Sequence, residues 1–80
     1  MINTDKLVGA IHARGLNKGR YGELMGKNSS WVSKKLKEKN FTLAEADETV
    51  AVLSLSASEA MEIFFGQFVA EMRQKENQFF

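Results

Sequence analysis

The chain has 80 residues, with eleven Lys or Arg, ten Asp or Glu, one His, no cysteine and no proline. That length predicts one small domain, with a modest core and little stability to spare. The lack of cysteine excludes a disulfide framework and a thiolate zinc site.

The net charge of +1 conceals a division. Residues 1–40 carry nine basic and three acidic residues, a net +6, whereas residues 41–80 carry two basic and seven acidic, a net −5. A basic half beside an acidic half points to one face for a polyanion and another for different work. The N-terminal stretch lacks the apolar core of a signal peptide. No apolar run approaches the roughly 20 residues of a membrane span. The expectation is therefore a cytoplasmic protein that does not enter a membrane.

In chain order, Asn3 or Thr4 is placed to cap a first helix, with Asp5 in its first turn. Leu7, Val8 and Ile11 give that helix an apolar face. Gly15 supplies a left-handed stop, and Leu16 follows as a core anchor. Asn17 can cap a second helix of about eight residues, with Tyr21 and Met25 facing inward and Leu24 beside them. Gly19 and Gly22 each weaken this helix by up to about 1 kcal/mol relative to alanine. Gly22 offers a compensation, because a missing side chain lets the next helix cross closely. Gly26 makes the turn. Asn28 or Ser29 caps a third helix that runs to about Glu38. Val32 and Leu36 are its apolar stripe.

Thr42 to Glu45 has capping-box spacing, and Leu43, Ala46, Val50 and Leu53 form the face of a fourth helix. Ser56 to Glu59 repeats the box and opens a long fifth helix. On it Phe64 and Phe68 align with Met61 and Met72, while Phe65 aligns with Val69. One stripe is expected to complete the core and the other to be exposed. An exposed aromatic stripe usually marks an interface. Phe65, Phe68, Val69 and Met72 are thus candidates for a dimer interface, against a monomer with all of them in its core. Residues 1–80 are predicted to form one domain, with an ordered helical part over about 4–73 and a frayed tail over 74–80.

The stretch from Leu16 to Lys39 reads as two short helices joined by a tight glycine turn, the second rich in lysine. This is the pattern of a helix-turn-helix, in which one helix braces another that can enter the major groove. The run Leu16-Asn17-Lys18-Gly19-Arg20-Tyr21-Gly22-Glu23-Leu24-Met25-Gly26-Lys27-Asn28-Ser29-Ser30-Trp31-Val32-Ser33 resembles the corresponding unit of the Cro/repressor-like (lambda repressor-like) superfamily. Further on, Lys34-Lys35-Leu36, Phe41-Thr42-Leu43 and Glu62-Ile63-Phe64-Phe65 resemble a group of small Gram-positive prophage proteins of that superfamily. The chain departs from the family pattern at Lys27, where an apolar residue is usual, and at Lys18, Gly19, Tyr21 and Gly22.

The resemblance implies an all-α, five-helix DNA-binding domain with its helix-turn-helix formed by helices 2 and 3. It implies a sequence-specific regulator of the small Cro-like kind, which binds a double-stranded operator as a homodimer. Carried over position by position, the base readers would be Asn28, Ser29, Ser30, Ser33 and Lys34, with Lys37 at the far end. Lys18 would meet phosphate. The charge pattern adds Arg20, Lys27, Lys35, Lys37 and Lys39 as phosphate contacts. Trp31 would either close the core between the second and third helices or sit at the DNA boundary against sugar or a thymine methyl.

Other chemistry finds little support. His12 has no ligand-spaced partner on its helix, and phosphate-loop and dinucleotide patterns are absent. An enzyme, a cofactor and a small-molecule ligand are not expected. The alternative function is a protein-interaction module on an inherited helix-turn-helix scaffold, such as a phage antirepressor or an inhibitor of a host protein. The departures at Lys27, Gly19 and Gly22 lean that way.

Overall fold

A computed structural model describes residues 2–66. Among these residues the chain is all-helical, with five helices and no strand. They are α1 (Thr4–Ala13), α2 (Lys18–Leu24), α3 (Ser29–Glu38), α4 (Leu43–Leu53) and α5 (Ala57–Phe64). No helix of the described residues is long and apolar enough to cross a membrane.

Every helix starts at a side-chain cap, which satisfies one of the N–H groups a helix leaves without an internal partner. Asn3 accepts from the Lys6 N–H at 3.1 Å, Asn17 from Arg20 at 2.8 Å, and Asn28 from Trp31 at 2.8 Å. Thr42 with Glu45, and Ser56 with Glu59, form full capping boxes. Gly15 and Gly26 follow α1 and α2 in the left-handed region, both at φ 72°. At Lys39 and Ser54, which cap the C-terminal ends of α3 and α4, non-glycine residues adopt the same region.

The apolar positions converge on one core. Leu7, Ala10 and Ile11 of α1 meet Tyr21 and Met25 from α2 and its cap, Val32 of α3, Ala46 and Leu53 of α4, then Leu55, Ile63 and Phe64. Apart from the Tyr21 hydroxyl, Thr49 is the one buried polar side chain among the described residues, and it is fully buried. Its hydroxyl donates to the Glu45 carbonyl at 2.8 Å and lies 2.6 Å from the Tyr21 hydroxyl. With its own proton given to Glu45, Thr49 accepts from Tyr21. Both buried hydroxyls are thereby satisfied, as burial requires.

Three sequence expectations shift. Leu43, placed on the core face of α4, is 75% exposed. It is the first residue of the helix, and the inward face runs instead through Ala46, Thr49 and Leu53. Leu24 is exposed beside the buried Tyr21. On α5, Ile63 and Phe64 face the core, while Met61 leaves the Phe64 stripe and is exposed together with Phe65. The expected continuation of this helix through Phe68, Val69 and Met72, and the tail over 74–80, lie outside the described residues.

Arg14 locks the ends of three helices together. It donates through Nε to the Leu53 carbonyl and through Nη2 to the Ser54 carbonyl at 3.5 Å, filling carbonyls left open at the end of α4. The same Nη2 reaches the Glu59 carboxylate at 3.2 and 3.3 Å. Lys6 pairs with Glu62 at 2.9 Å, and the Asn3 N–H donates to the Ile63 carbonyl at 2.7 Å. The start and end of α1 are therefore both tied to α5.

These ties are sensitive to acid. The Ser56 backbone N–H, then Arg14, hold the Glu59 carboxyl below its ordinary value of 4.5. At Glu45 burial pushes upward, but Lys35 and the Thr42 N–H outweigh it and the carboxyl again falls below 4.5. A carboxyl lowered by folding stabilises the fold above its unfolded pKa, and that stability is lost as pH falls through the folded value. The melting temperature should therefore drop as pH is lowered from 4.5. In Glu59→Gln, thermal melts at pH 6 and pH 3 should lie closer together than in the parent chain.

Candidate nucleic-acid interface

The α2–α3 unit is held at a fixed angle by three local devices. The first is the turn. The Lys27 N–H donates to the Gly22 carbonyl at 2.7 Å, and the Gly26 N–H to the Glu23 carbonyl at 3.0 Å. This paired pattern around a left-handed glycine is a Schellman motif, and it ends α2 at a defined direction. The second is the Asn28 cap, which starts α3 two residues after Gly26. The third is the close approach at Gly22. A Cβ there would lie 3.1 Å from the Asn28 carbonyl oxygen and 3.1 Å from Val32 Cγ2.

Gly22→Ala therefore sets helix propensity against overpacking. Alanine gains about 1 kcal/mol in a helix, whereas a crowded core position loses about 1–3 kcal/mol. Crowding against a backbone carbonyl should win, with a lower urea midpoint at unchanged m-value. Gly9→Ala is the control. A Cβ at Gly9 meets nothing within 4 Å, so that variant should gain up to about 1 kcal/mol.

Val32 is fully buried and Leu36 packs against the core, which fixes the rotation of α3. At about 100° per residue, Ser30, Ser33, Lys34 and Lys37 then share an outward arc of roughly 100°. All four are exposed. Ser29 is also exposed and flanks this arc in the first turn. Asn28 is exposed, but its side-chain oxygen is committed to the Trp31 N–H. Its amide NH2 is the part left to address a ligand.

The basic residues of α2, the turn and α3 differ in their partners. Lys18, Lys27, Lys34 and Lys37 are exposed and form no ion pair with an acid among the described residues. Arg20 is exposed and pairs with Glu23 at 2.8 Å, across two side chains more than half exposed. Such a pair is weak and can be exchanged for another anion. Lys35 is different. Its ammonium lies 2.8 Å from Glu45, with both side chains largely buried, and donates to the Asn40 carbonyl at 3.3 Å. Lys35, expected among the phosphate contacts, here ties α3 to the start of α4.

Lys39 also sits apart. Ten residues of α3 separate it from Asn28, a length of about 15 Å. It lines a shallow groove with Asn3, Asp5 and Glu62 at the start of α1.

Trp31 is partly buried on the flank of α3. It meets Phe41 edge-on, with centroids 6.1 Å apart, and Phe41 meets Phe64 at 5.8 Å. The indole thus packs against the connection after α3 and against the core. The Lys27 and Lys35 ammoniums each lie 5.9 Å from its ring centre.

Of the dimer candidates, Phe65 is 40% exposed next to Met61 at 41%. Phe68, Val69 and Met72 lie outside the described residues. The chain matches no family model, no curated protein and no solved structure.

Proposed function

We propose that this chain binds double-stranded DNA sequence-specifically through α3 and regulates transcription, in the manner of the Cro/repressor-like proteins its sequence resembles. The observation that carries the proposal is the outward face of α3. Ser30, Ser33, Lys34 and Lys37 are exposed together on a helix whose angle to α2 is fixed by the Gly22 contact and the Gly26 turn. A helix presented this way can enter the major groove, where serine hydroxyls either donate or accept and lysine favours guanine acceptors. Lys18 and Lys27 supply exposed charge at the near end for phosphate. Lys35 is left out of the phosphate set because Glu45 holds it.

In this reading the protein works as a homodimer, with Met61 and Phe65 starting the shared face. Two such helices one DNA turn apart, about 34 Å, would meet successive major-groove segments on one side of the duplex. Operator occupancy would then block polymerase.

The test begins with selection of a preferred duplex from a random pool. Lys34→Ala should weaken binding to the selected site by about 1–3 kcal/mol more than binding to random duplex. Lys27→Ala should weaken both alike. Equal losses on both duplexes in both variants would remove Lys34 from the base-reading set.

A second reading is favoured by specific exposed groups. Leu43, Met61 and Phe65 are apolar and exposed, and Asp47 and Glu48 lie exposed on the same helix as Leu43. A protein-interaction module would use exposed groups of this acidic and apolar kind, and its function would tolerate loss of Lys34 and Lys37.

A further inference from the structure

We infer that Trp31 and Lys27 form a seat for one nucleotide of the DNA backbone, with the indole against the deoxyribose and the Lys27 ammonium on the adjoining phosphate. This rests on the DNA-binding reading above and assigns a contact within it. Three observations lead there.

The first is place. Around α3, Trp31 lies next to Lys34 but outside the arc of Ser30, Ser33, Lys34 and Lys37. A residue on the flank of a helix in the major groove meets the groove wall, which is sugar and phosphate, while the centre of the arc meets base edges.

The second is rigidity. The indole is braced edge-on by Phe41, which is braced by the buried Phe64. A side chain already fixed loses little conformational freedom on binding. It is only partly buried, so it keeps some surface for a partner.

The third is the charge around the ring. Two ammoniums converge on one indole, each 5.9 Å from its centre. Lys35 is held there by Glu45 and Asn40. Lys27 is exposed and has no acid partner among the described residues. An apolar plate with an exposed cation over its ring, paired with no acid among the described residues, matches the apolar face of a sugar next to one anionic oxygen.

Trp31 is the sole tryptophan of the chain, so its fluorescence reports this seat alone. The experiment titrates the full chain with a labelled random-sequence duplex at low salt. It follows label anisotropy for binding and acrylamide quenching of tryptophan for access to the ring. Quenching should fall in step with the rise in anisotropy and recover when salt releases the duplex. In Lys27→Ala, the log–log salt slope of binding should shrink by about 1.

Three results would overturn the seat. Saturated anisotropy with unchanged tryptophan quenching puts Trp31 outside the interface, and the DNA-binding reading stands. An unchanged salt slope in Lys27→Ala removes its phosphate contact. No rise in anisotropy at low salt, from folded protein, ends both the seat and the reading it rests on.

Discussion

Replacing Lys27, Lys34 and Lys37 together by glutamine should abolish measurable binding to duplex DNA at moderate salt while leaving the fold intact. All three are exposed, and none is ion-paired to an acid among the described residues. Their removal therefore leaves no buried charge and empties no core position. Lys37 lies in the last turn of α3, where a cation meets the negative end of the helix dipole. That exposed contribution is worth about 0.3–1 kcal/mol, so the melting temperature should move only slightly. On DNA the loss is larger. Each neutralised phosphate contributes about −0.9 to the slope of log affinity against log salt. Loss of the two phosphate contacts among them, Lys27 and Lys37, should reduce that slope by about 2. The check is anisotropy across a salt series, with circular dichroism melts of the same samples. A triple variant that binds random duplex as the parent does would move the interface away from α3.

Tyr21→Ala should be the most damaging single change to the fold. The ring is fully buried at the meeting of α2 and α4, and its hydroxyl satisfies Thr49. Truncating a buried aromatic costs about 3–5 kcal/mol, from lost transfer energy and from the cavity left behind. A domain of this size has only about 4–12 kcal/mol in total. The variant should be partly unfolded at 25 °C or melt far below the parent. Tyr21→Phe separates the ring from its hydroxyl. It keeps the volume, and Thr49 still donates to the Glu45 carbonyl, so the expected loss is about 1 kcal/mol. Thr49→Val should cost about 1–3 kcal/mol, because it strands the Tyr21 hydroxyl in the interior. Urea midpoints at constant m-value report all three. A Tyr21→Ala chain as stable as Tyr21→Phe would contradict the buried position of this ring.

Much of the local architecture was legible in the sequence because it depends on short spacings. Asn17, Thr42 with Glu45, and Ser56 with Glu59 act as caps where their spacing predicts. Gly15 and Gly26 sit in the left-handed region, and Gly22 lies under the crossing helix. What was not legible depends on the phase of one helix against another. The apolar spacing of α4 permits Leu43 to face inward, but the packing turns the helix so that Thr49 does. A threonine passes for a surface residue in a hydropathy pattern, although a hydroxyl with both a donor and an acceptor partner is at home in a core. The ties made by Arg14 and Lys35 leave no mark in a hydropathy pattern for the same reason. Their partners, Glu59 and the Leu53 and Ser54 carbonyls for one and Glu45 for the other, are remote or on the next helix.

The candidate interface follows the same division. The exposure of Ser30, Ser33, Lys34 and Lys37 follows from the Val32–Leu36 stripe, so helical spacing alone was enough to find them. The capture of Lys35 by Glu45, the isolation of Lys39 beside Asn3 and Asp5, and the bracing of Trp31 by Phe41 required three-dimensional neighbours. One signal could have flagged Lys35. It lies one turn before the Asn40–Thr42 connection, and the Glu45 that completes the next capping box comes close behind.

The most direct test of the central claim is fluorescence anisotropy of a labelled random-sequence duplex titrated with the full chain at about 50 and 200 mM salt. Binding should be evident at the lower salt and weaken steeply at the higher, because the affinity for random duplex is phosphate contact through Lys18, Lys27 and their neighbours. A folded protein that leaves the anisotropy flat at 50 mM salt would contradict it, and the exposed apolar groups Leu43, Met61 and Phe65 would then become the surface to probe for a protein partner.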